Sequence, residues 1–241
     1  MPMADQQAFV LHSRPYRDNQ HLVDLLTVNQ GKLSALVYIG QSKRSIKKAL
    51  IQPFLPLNLT VKDLGAIKKI TSIETASKSY QLQKSYLYSA FYLNELLIRL
   101  LSQDIPCESL YHQYHQTIQL LAEQQNIAPL LRRFELSLLA ELGMSFDFEP
   151  IFEYDAYCFS YMPEQGFVVC ENQYLKLSNQ AQLTNTFLTQ HLKEVAQHIE
   201  NSKVALSDAA AQTYKQLMRQ VINQLLGNKP LNSRKLFSSV R

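Results

Sequence analysis

Apolar and polar residues alternate in short steps over the first 75 residues. "AFVLH" at 8–12 is apolar and β-rich, and "HLVDLLTV" and "KLSALVYI" flank "NQG", with Gly31 placed for a tight hairpin turn. "PLNLTVK" sets Leu57, Leu59 and Val61 against Asn58, Thr60 and Lys62, a period of two. "DLGA" turns the chain, and "IKKITSIET" follows with Ile67, Ile70 and Ile73 apolar. Five strands are predicted, with "QSKRSIKKAL" filling the long gap between the third and fourth. Five short strands with one helical or irregular insertion after the third is the layout of an OB-fold barrel, and an SH3-like barrel fits the same periodicity.

From about Tyr80 the period lengthens. "YQLQKSYLYSAFYLNELLIRLL" places Tyr86, Ala90, Leu93, Leu97 and Leu100 on one helical stripe. Pro106 suits the first turn of a second helix carrying Leu110, Tyr114, Ile118 and Leu121. Pro129 opens a third, with Leu131, Phe134, Leu138 and Leu142 inward and Gly143 as its C-terminal cap. Adjacent helices with short loops imply a bundle. Residues 144–178 break this pattern: "AYCFSYM" and "GFVVCENQYLKL" read as short strands around "PEQG". Helices resume with "NTFLTQHLKEVAQHI", where Phe187, His191, Leu192, Val195 and Ile199 share a side. The last long helix starts at an N-capping Ser207 and stops at Gly227. The fold class is therefore α+β, in two expected domains. Residues 1–79 form an OB-fold nucleic-acid-binding barrel, and 80–241 an α-helical domain with a small β insertion around 150–178.

Charge sharpens this division. The net charge is +4, but residues 1–80 carry 11 Lys/Arg against 5 Asp/Glu, and residues 81–241 carry 13 against 15. Leu25 to Lys62 is free of acids and holds six cations, four of them (Lys43, Arg44, Lys47 and Lys48) within six positions. Such asymmetry points to nucleic acid or an anionic surface. Cys107, Cys158 and Cys170 are odd in number and widely spaced, which fits a reducing compartment. The first residues show no signal peptide and no stretch approaches a membrane span, so a cytoplasmic protein without membrane contact is expected.

Catalytic chemistry is absent from the pattern: there is no dinucleotide, phosphate-loop or G-x-S-x-G motif. The His112/His115 pair, spaced i,i+3, reads as surface polarity plus a core contact rather than a metal face. Cys158 and Cys170 lack C-x-x-C spacing. Asp147 and Glu149 read as a loop or helix end. No catalytic residue, metal or cofactor is expected. A phosphate-binding surface is. OB-folds bind nucleic acid on strands 2 and 3 and on the loops joining strands 1–2 and 4–5. The first loop, "SRPYRDNQ", supplies Arg14, Tyr16 and Arg17; Lys32 begins the third strand; Lys62, Lys68 and Lys69 bound the second loop. With Lys43, Arg44, Lys47 and Lys48 these make ten cations that a barrel would gather. Only Tyr16 and Tyr38 remain as stacking platforms, so phosphate contacts should dominate and little sequence should be read. On charge alone DNA and RNA are equivalent, and an OB-fold RNA-binding accessory factor is the alternative reading.

"AFVLHSRPYRDNQHLVDLLTVNQGK" resembles the opening of the bacterial RecO family of DNA repair proteins, and so does the order of later segments: "SKRS" with "LIQPFLPL", "LYSAFYLNELLIRLL", "LRRFELSLLAELGMSFDF" and "GNKPLNSRKLF". The resemblance implies an OB-fold followed by a helical domain and a non-enzymatic recombination mediator. Such a protein binds single- and double-stranded DNA, anneals complementary strands and, with RecR, helps load RecA onto DNA coated by single-strand binding protein. It also implies a contact with the acidic C-terminal tail of that coating protein, and a place in the cytoplasm at the nucleoid. Some relatives carry a four-cysteine zinc site after the stretch matched by "LGMSFDF"; here only Cys158 and Cys170 are found, and no metal is carried over. An acidic tail with an apolar end needs an apolar groove and a cation for its carboxylate. Arg132 and Arg133, at the start of a Leu-rich helix, fit that need, and Arg234 and Lys235 in the C-terminal segment could extend the DNA path.

Overall fold

The computed structural model describes residues 6–40, 46–63, 68–170 and 185–238. Packing divides the chain into two units, residues 1–143 with 230–241 and residues 144–229. The first begins with β1 (Gln6–Arg17), β2 (Gln20–Thr27), β3 (Gly31–Tyr38), α1 (Ile46–Leu50), β4 (Leu57–Asp63) and β5 (Lys68–Thr75). The strands close into a barrel in the order β1-β2-β3-β5-β4, antiparallel except for the β3–β5 contact. Placing β5 parallel beside β3 while β4 closes onto β1 is the Greek-key closure of an OB-fold, not the meander of an SH3-like barrel. The alternating residues do what their period predicts: Val23, Leu25, Leu33, Val37, Leu57, Leu59 and Val61 fill the interior.

β1 departs from expectation in length. It continues through "SRPYR" to Arg17, so Arg14, Tyr16 and Arg17 lie on a strand rather than in a loop. Register shifts fall between Val10 and His12 and between Pro15 and Arg17. The consecutive apolar run "AFVL" is explained by burial on both faces: Ala8 and Val10 enter the barrel core, Phe9 meets α3, and Leu11 is buried outside that core.

Those helices are α2 (Lys84–Leu100), α3 (Glu108–Ala122) and α4 (Ile127–Glu141). The α4 helix starts two residues before Pro129, capped by Asn126, whose side chain accepts from Ala128 N at 3.2 Å. Phe9 meets the rings of Tyr111, Tyr114 and His115 on α3 at centroid distances of 5.8, 5.2 and 5.1 Å. The shift between Val10 and His12 takes Leu11 out of the β2 ladder, leaving a carbonyl inside the protein that needs a donor. Asn94 of α2 supplies it, Nδ2 to Leu11 O at 2.9 Å, and its own Oδ1 accepts from the Tyr114 hydroxyl at 2.7 Å. The α2 stripe is correspondingly wider than the expected Tyr86–Leu100 line: Ser89, Tyr92, Asn94 and Leu96 are buried as well, and Tyr86 and Leu100 only half-buried. Gly31 has φ 65°, and a Cβ there would run into the carbonyl of Ile105, between α2 and α3. The hairpin turn and the close approach of that segment both require glycine.

In the second unit, α5 (Glu149–Glu153) leads into β6 (Cys158–Met162) and β7 (Gly166–Val169). β8 (Thr186–Leu188) pairs with the other edge of β6, and α6 (Thr189–Glu200) and α7 (Asp208–Leu225) follow. Phe187 is thus buried as a strand residue and not on the helix its spacing suggested; α6 begins two residues later. The reading of residues 171–178 as strand lies outside the described residues. Ser207 caps α7 as expected, accepting from Ala210 N at 3.2 Å. The chain then returns to the first unit as α8 (Ser233–Ser238). There the Glu95 carboxylate of α2 accepts from Asn232 N, Ser233 N and Ser233 Oγ at 2.9, 2.8 and 2.7 Å. Among the described residues no helix is long and apolar enough to cross a membrane.

Replacing Asn94 by Ala leaves the Leu11 carbonyl and the Tyr114 hydroxyl buried without the side chain that links them. Urea unfolding should show a loss of about 2–4 kcal/mol, well above the cost of an exposed truncation.

Candidate nucleic-acid interface

Strand pairing defines what lies side by side on the outside of the barrel. Arg14 faces Leu22, Leu22 faces Leu36, Leu36 faces Lys69 and Lys69 faces Lys62. Directly paired residues share a face of a sheet, so these five form one row across β1, β2, β3, β5 and β4. Leu22 and Leu36 are half-buried; Arg14, Lys69 and Lys62 are exposed. Toward the open end of the hairpin the next row is Arg17, Gln20 and Tyr38. Tyr38 is 49% exposed and Tyr16 44%, and the Arg17 guanidinium lies 5.4 Å from the Tyr16 ring centre. On the other side the row is His12, Asp24 and Ser34. Asp24 accepts from Ser34 Oγ at 2.5 Å and lies 3.8 Å from His12 Nδ1. Beyond that row come Phe9 and Leu26, both covered.

The ten barrel cations therefore separate. Arg14, Arg17, Lys62 and Lys69 are exposed on the outer surface, and Lys47 (half-buried) and Lys48 (exposed) lie on α1. Lys43 and Arg44 lie outside the described residues. Lys32 and Lys68 depart from the surface expected of them. Lys32 is only 9% exposed; its Nζ donates to Ile98 O at the end of α2 at 2.7 Å, and burial, against the pull of Asp24, lowers its pKa. Lys68 pairs with Asp104, just after α2. Lys32 ties the barrel to α2 and Lys68 ties it to the segment after α2, which occupies the edge of β3 that β5 leaves uncovered: Asp104 N donates to Lys32 O at 2.8 Å.

On α4, Arg132 is bound to Glu135 rather than solvated: Nη1 meets Oε2 at 2.7 Å and Nη2 meets Oε1 at 2.8 Å. Arg133 is exposed. Glu135 is 0% exposed and also accepts from the Tyr92 hydroxyl of α2 at 2.6 Å. Burial pushes its carboxyl up to about 7, against Arg132, the Tyr92 hydroxyl and Arg234, which favour the charged form. Arg234 of α8 is half-buried near this carboxylate, and Lys235 is exposed. Sequence patterning offers no sign of Glu135: it falls on the inward line of a helix next to Phe134, where an acid is unexpected. The row partners Leu22 and Leu36 are visible as strand residues, but only the register shows that they separate the cations.

The remaining candidates have ordinary partners. His115 Nε2 lies 2.7 Å from the Tyr80 hydroxyl, and burial lowers its pKa; His112 lies 3.7 Å from Glu108. Asp147 Oδ1 accepts from Glu149 N at 2.9 Å at the start of α5. Cys170 N donates to Cys158 O at 3.1 Å across β6 and β7, and no third metal-ligating residue joins them among the described residues.

Two family models match the chain in order. One is described as Recombination protein O N terminal and covers residues 1–78; the other, Recombination protein O C terminal, covers 83–235. Relatives bearing the name DNA repair protein RecO include one from Tolumonas auensis, 38% identical over 238 residues, which span 96% of this chain and 94% of that protein. One from Haemophilus influenzae is 35% identical over 242 residues, spanning 97% and 95%. One from Vibrio cholerae is 34% identical over 239 residues, spanning 96% and 92%. A barrel of OB topology, the helices built onto it and identity sustained over nearly the full length agree, and the chain belongs to the RecO family of DNA repair and recombination proteins.

Proposed function

We propose that this chain is a non-enzymatic recombination mediator acting in the bacterial cytoplasm, at the nucleoid. It binds single- and double-stranded DNA through phosphates on the outer face of the barrel, anneals complementary strands and, with RecR, helps load RecA onto DNA coated by single-strand binding protein. The acidic C-terminal tail of that coating protein docks at Arg132 and Arg133. The observation that carries the DNA reading is the row Arg14–Leu22–Leu36–Lys69–Lys62 with Arg17 and Tyr38 beside it. Cations at both ends of an aliphatic strip hold a phosphate backbone and leave the bases to partners other than the protein. That is what annealing requires: charge neutralised on a surface that does not compete for Watson–Crick edges. Lys47 and Lys48 of α1 and Lys235 of α8 add further cations, and in the sequence Lys43 and Arg44 come just before α1. Lys32 and Lys68 take no part, since their ammonium groups serve the barrel–helix joint.

Charge reversal of Arg14, Lys62 and Lys69 should weaken DNA binding and lower the log–log salt slope by about one for each phosphate that the variant no longer neutralises. The same holds for a variant reversed at Lys43, Arg44, Lys47 and Lys48, and an unchanged slope in both variants would sink the interface. Strand annealing on DNA coated by single-strand binding protein should depend on that protein's acidic tail; tail-independent annealing counts against the mediator reading, and preference for RNA in competition with matched DNA would favour an RNA accessory factor. Arg132→Ala and Arg133→Ala should impair binding of the labelled tail peptide and spare DNA binding, and wild-type peptide affinity in both would remove them from the site.

A further inference from the structure

The arginine assigned above to a partner carboxylate already holds one. Glu135 sits one turn after Arg132 on α4, fully buried; Arg132 Nη2 donates to its Oε1 at 2.8 Å and Nη1 lies 2.7 Å from Oε2 in ion-pair contact. Tyr92 from α2 donates to Oε1 at 2.6 Å, and Arg234 from α8 favours the carboxylate from a third element. The other polar groups close by are engaged elsewhere: the Tyr114 hydroxyl of α3 donates to Asn94, and Glu95 of α2 accepts from the first residues of α8. Glu135 thus has no role in the barrel and no exposure to solvent.

We propose that Glu135, backed by Tyr92, is a positioning residue that presents Arg132 to the carboxylate of an acidic peptide, and that the peptide's binding there takes up a proton. This rests on the reading of Arg132 as the tail-binding arginine. A guanidinium has five N–H donors; Glu135 accepts from Nη2 and lies in ion-pair contact with Nη1, which holds the group at the buried carboxylate and leaves donors for a second anion. The Arg132 side chain is 18% exposed, so Arg132, unlike Glu135, is in part open to the surface. While Glu135 is charged, however, the pair is neutral and an incoming carboxylate meets a second, buried carboxylate behind the arginine. Protonating Glu135 relieves that repulsion and releases the full charge of Arg132. Burial holds the free-state carboxyl at about 7, so the proton is available near neutral pH. The sign follows: a bound anion raises the proton affinity of Glu135, the complex holds more protons than the free protein, and affinity falls as pH rises through and above about 7.

The test is a titration of the full chain with the labelled acidic C-terminal peptide of single-strand binding protein at about pH 6 and about pH 8.5. Wild type should bind on the order of tenfold more weakly at the higher pH. Glu135→Gln, which keeps the shape and a hydrogen-bonding oxygen but cannot titrate, should bind at both pH values as wild type does at the lower one. Glu135→Ala, which no longer holds the guanidinium, should bind more weakly at both. Calorimetry of wild type in two buffers of different ionisation enthalpy, near neutral pH, should report proton uptake on binding, a readout that does not depend on any variant folding. Binding of equal strength at both pH values, or zero proton uptake, overturns the proposal and leaves the tail site standing. No binding by wild type at either pH removes the tail site and the proposal together.

Discussion

A single carbonyl organises the first unit. The bulge in β1 takes Leu11 out of the β2 ladder, and its oxygen is left in a dry interior. An unpaired buried carbonyl costs enough to matter against a total stability of about 5–15 kcal/mol. Asn94 answers it from α2 and is itself held by Tyr114 from α3, so barrel and helices share one hydrogen-bonded relay. Phe9, one strand position from the core-filling Ala8 and Val10, adds its ring to the same joint.

This joint decides which part of the barrel remains a surface. With α2 and α3 seated over Phe9 and Leu11, and with the segment after α2 running beside β3, one end of the outer face is covered. Lys32 falls at that end and binds Ile98 O, while Lys68, on the opposite side of β5 from Lys69, binds Asp104. The uncovered end keeps Arg14, Arg17, Lys62, Lys69 and Tyr38. Cations adjacent in the same strand, Lys68 and Lys69, thus have opposite fates for a reason of geometry: Lys68 pairs with inward-facing Ala35, Lys69 with outward-facing Leu36.

A similar economy operates on α4. A charged residue among apolar neighbours is costly unless it is paired and hydrogen-bonded. Glu135 is both, through Arg132 and Tyr92, and α8 adds Arg234 to the balance. The C-terminal segment reaches that position because Glu95 satisfies the first amides of α8. Residues distant in sequence therefore meet in one electrostatic cluster that includes the arginine proposed for peptide recognition.

Local patterning was enough to establish the five strands of the barrel in order, the β6–β7 pair, the long helices, the capping of α7 and the concentration of positive charge in the first third. Side-chain period, turn residues and charge need no knowledge of what lies opposite. The resemblance of the opening segment carried the family. Packing was needed to show that β1 runs on to Arg17, that Phe187 belongs to a strand and that Lys32 and Lys68 are ties while Arg14, Lys62 and Lys69 form a row. It was needed, too, to show that Arg132 is already paired. Each of these depends on register or on contacts between residues far apart in the chain, such as Lys68 with Asp104 and Tyr92 with the Glu135 that holds Arg132. A period of two says which residues share a face of a strand. Only the packed neighbour says whether that face is surface or seam.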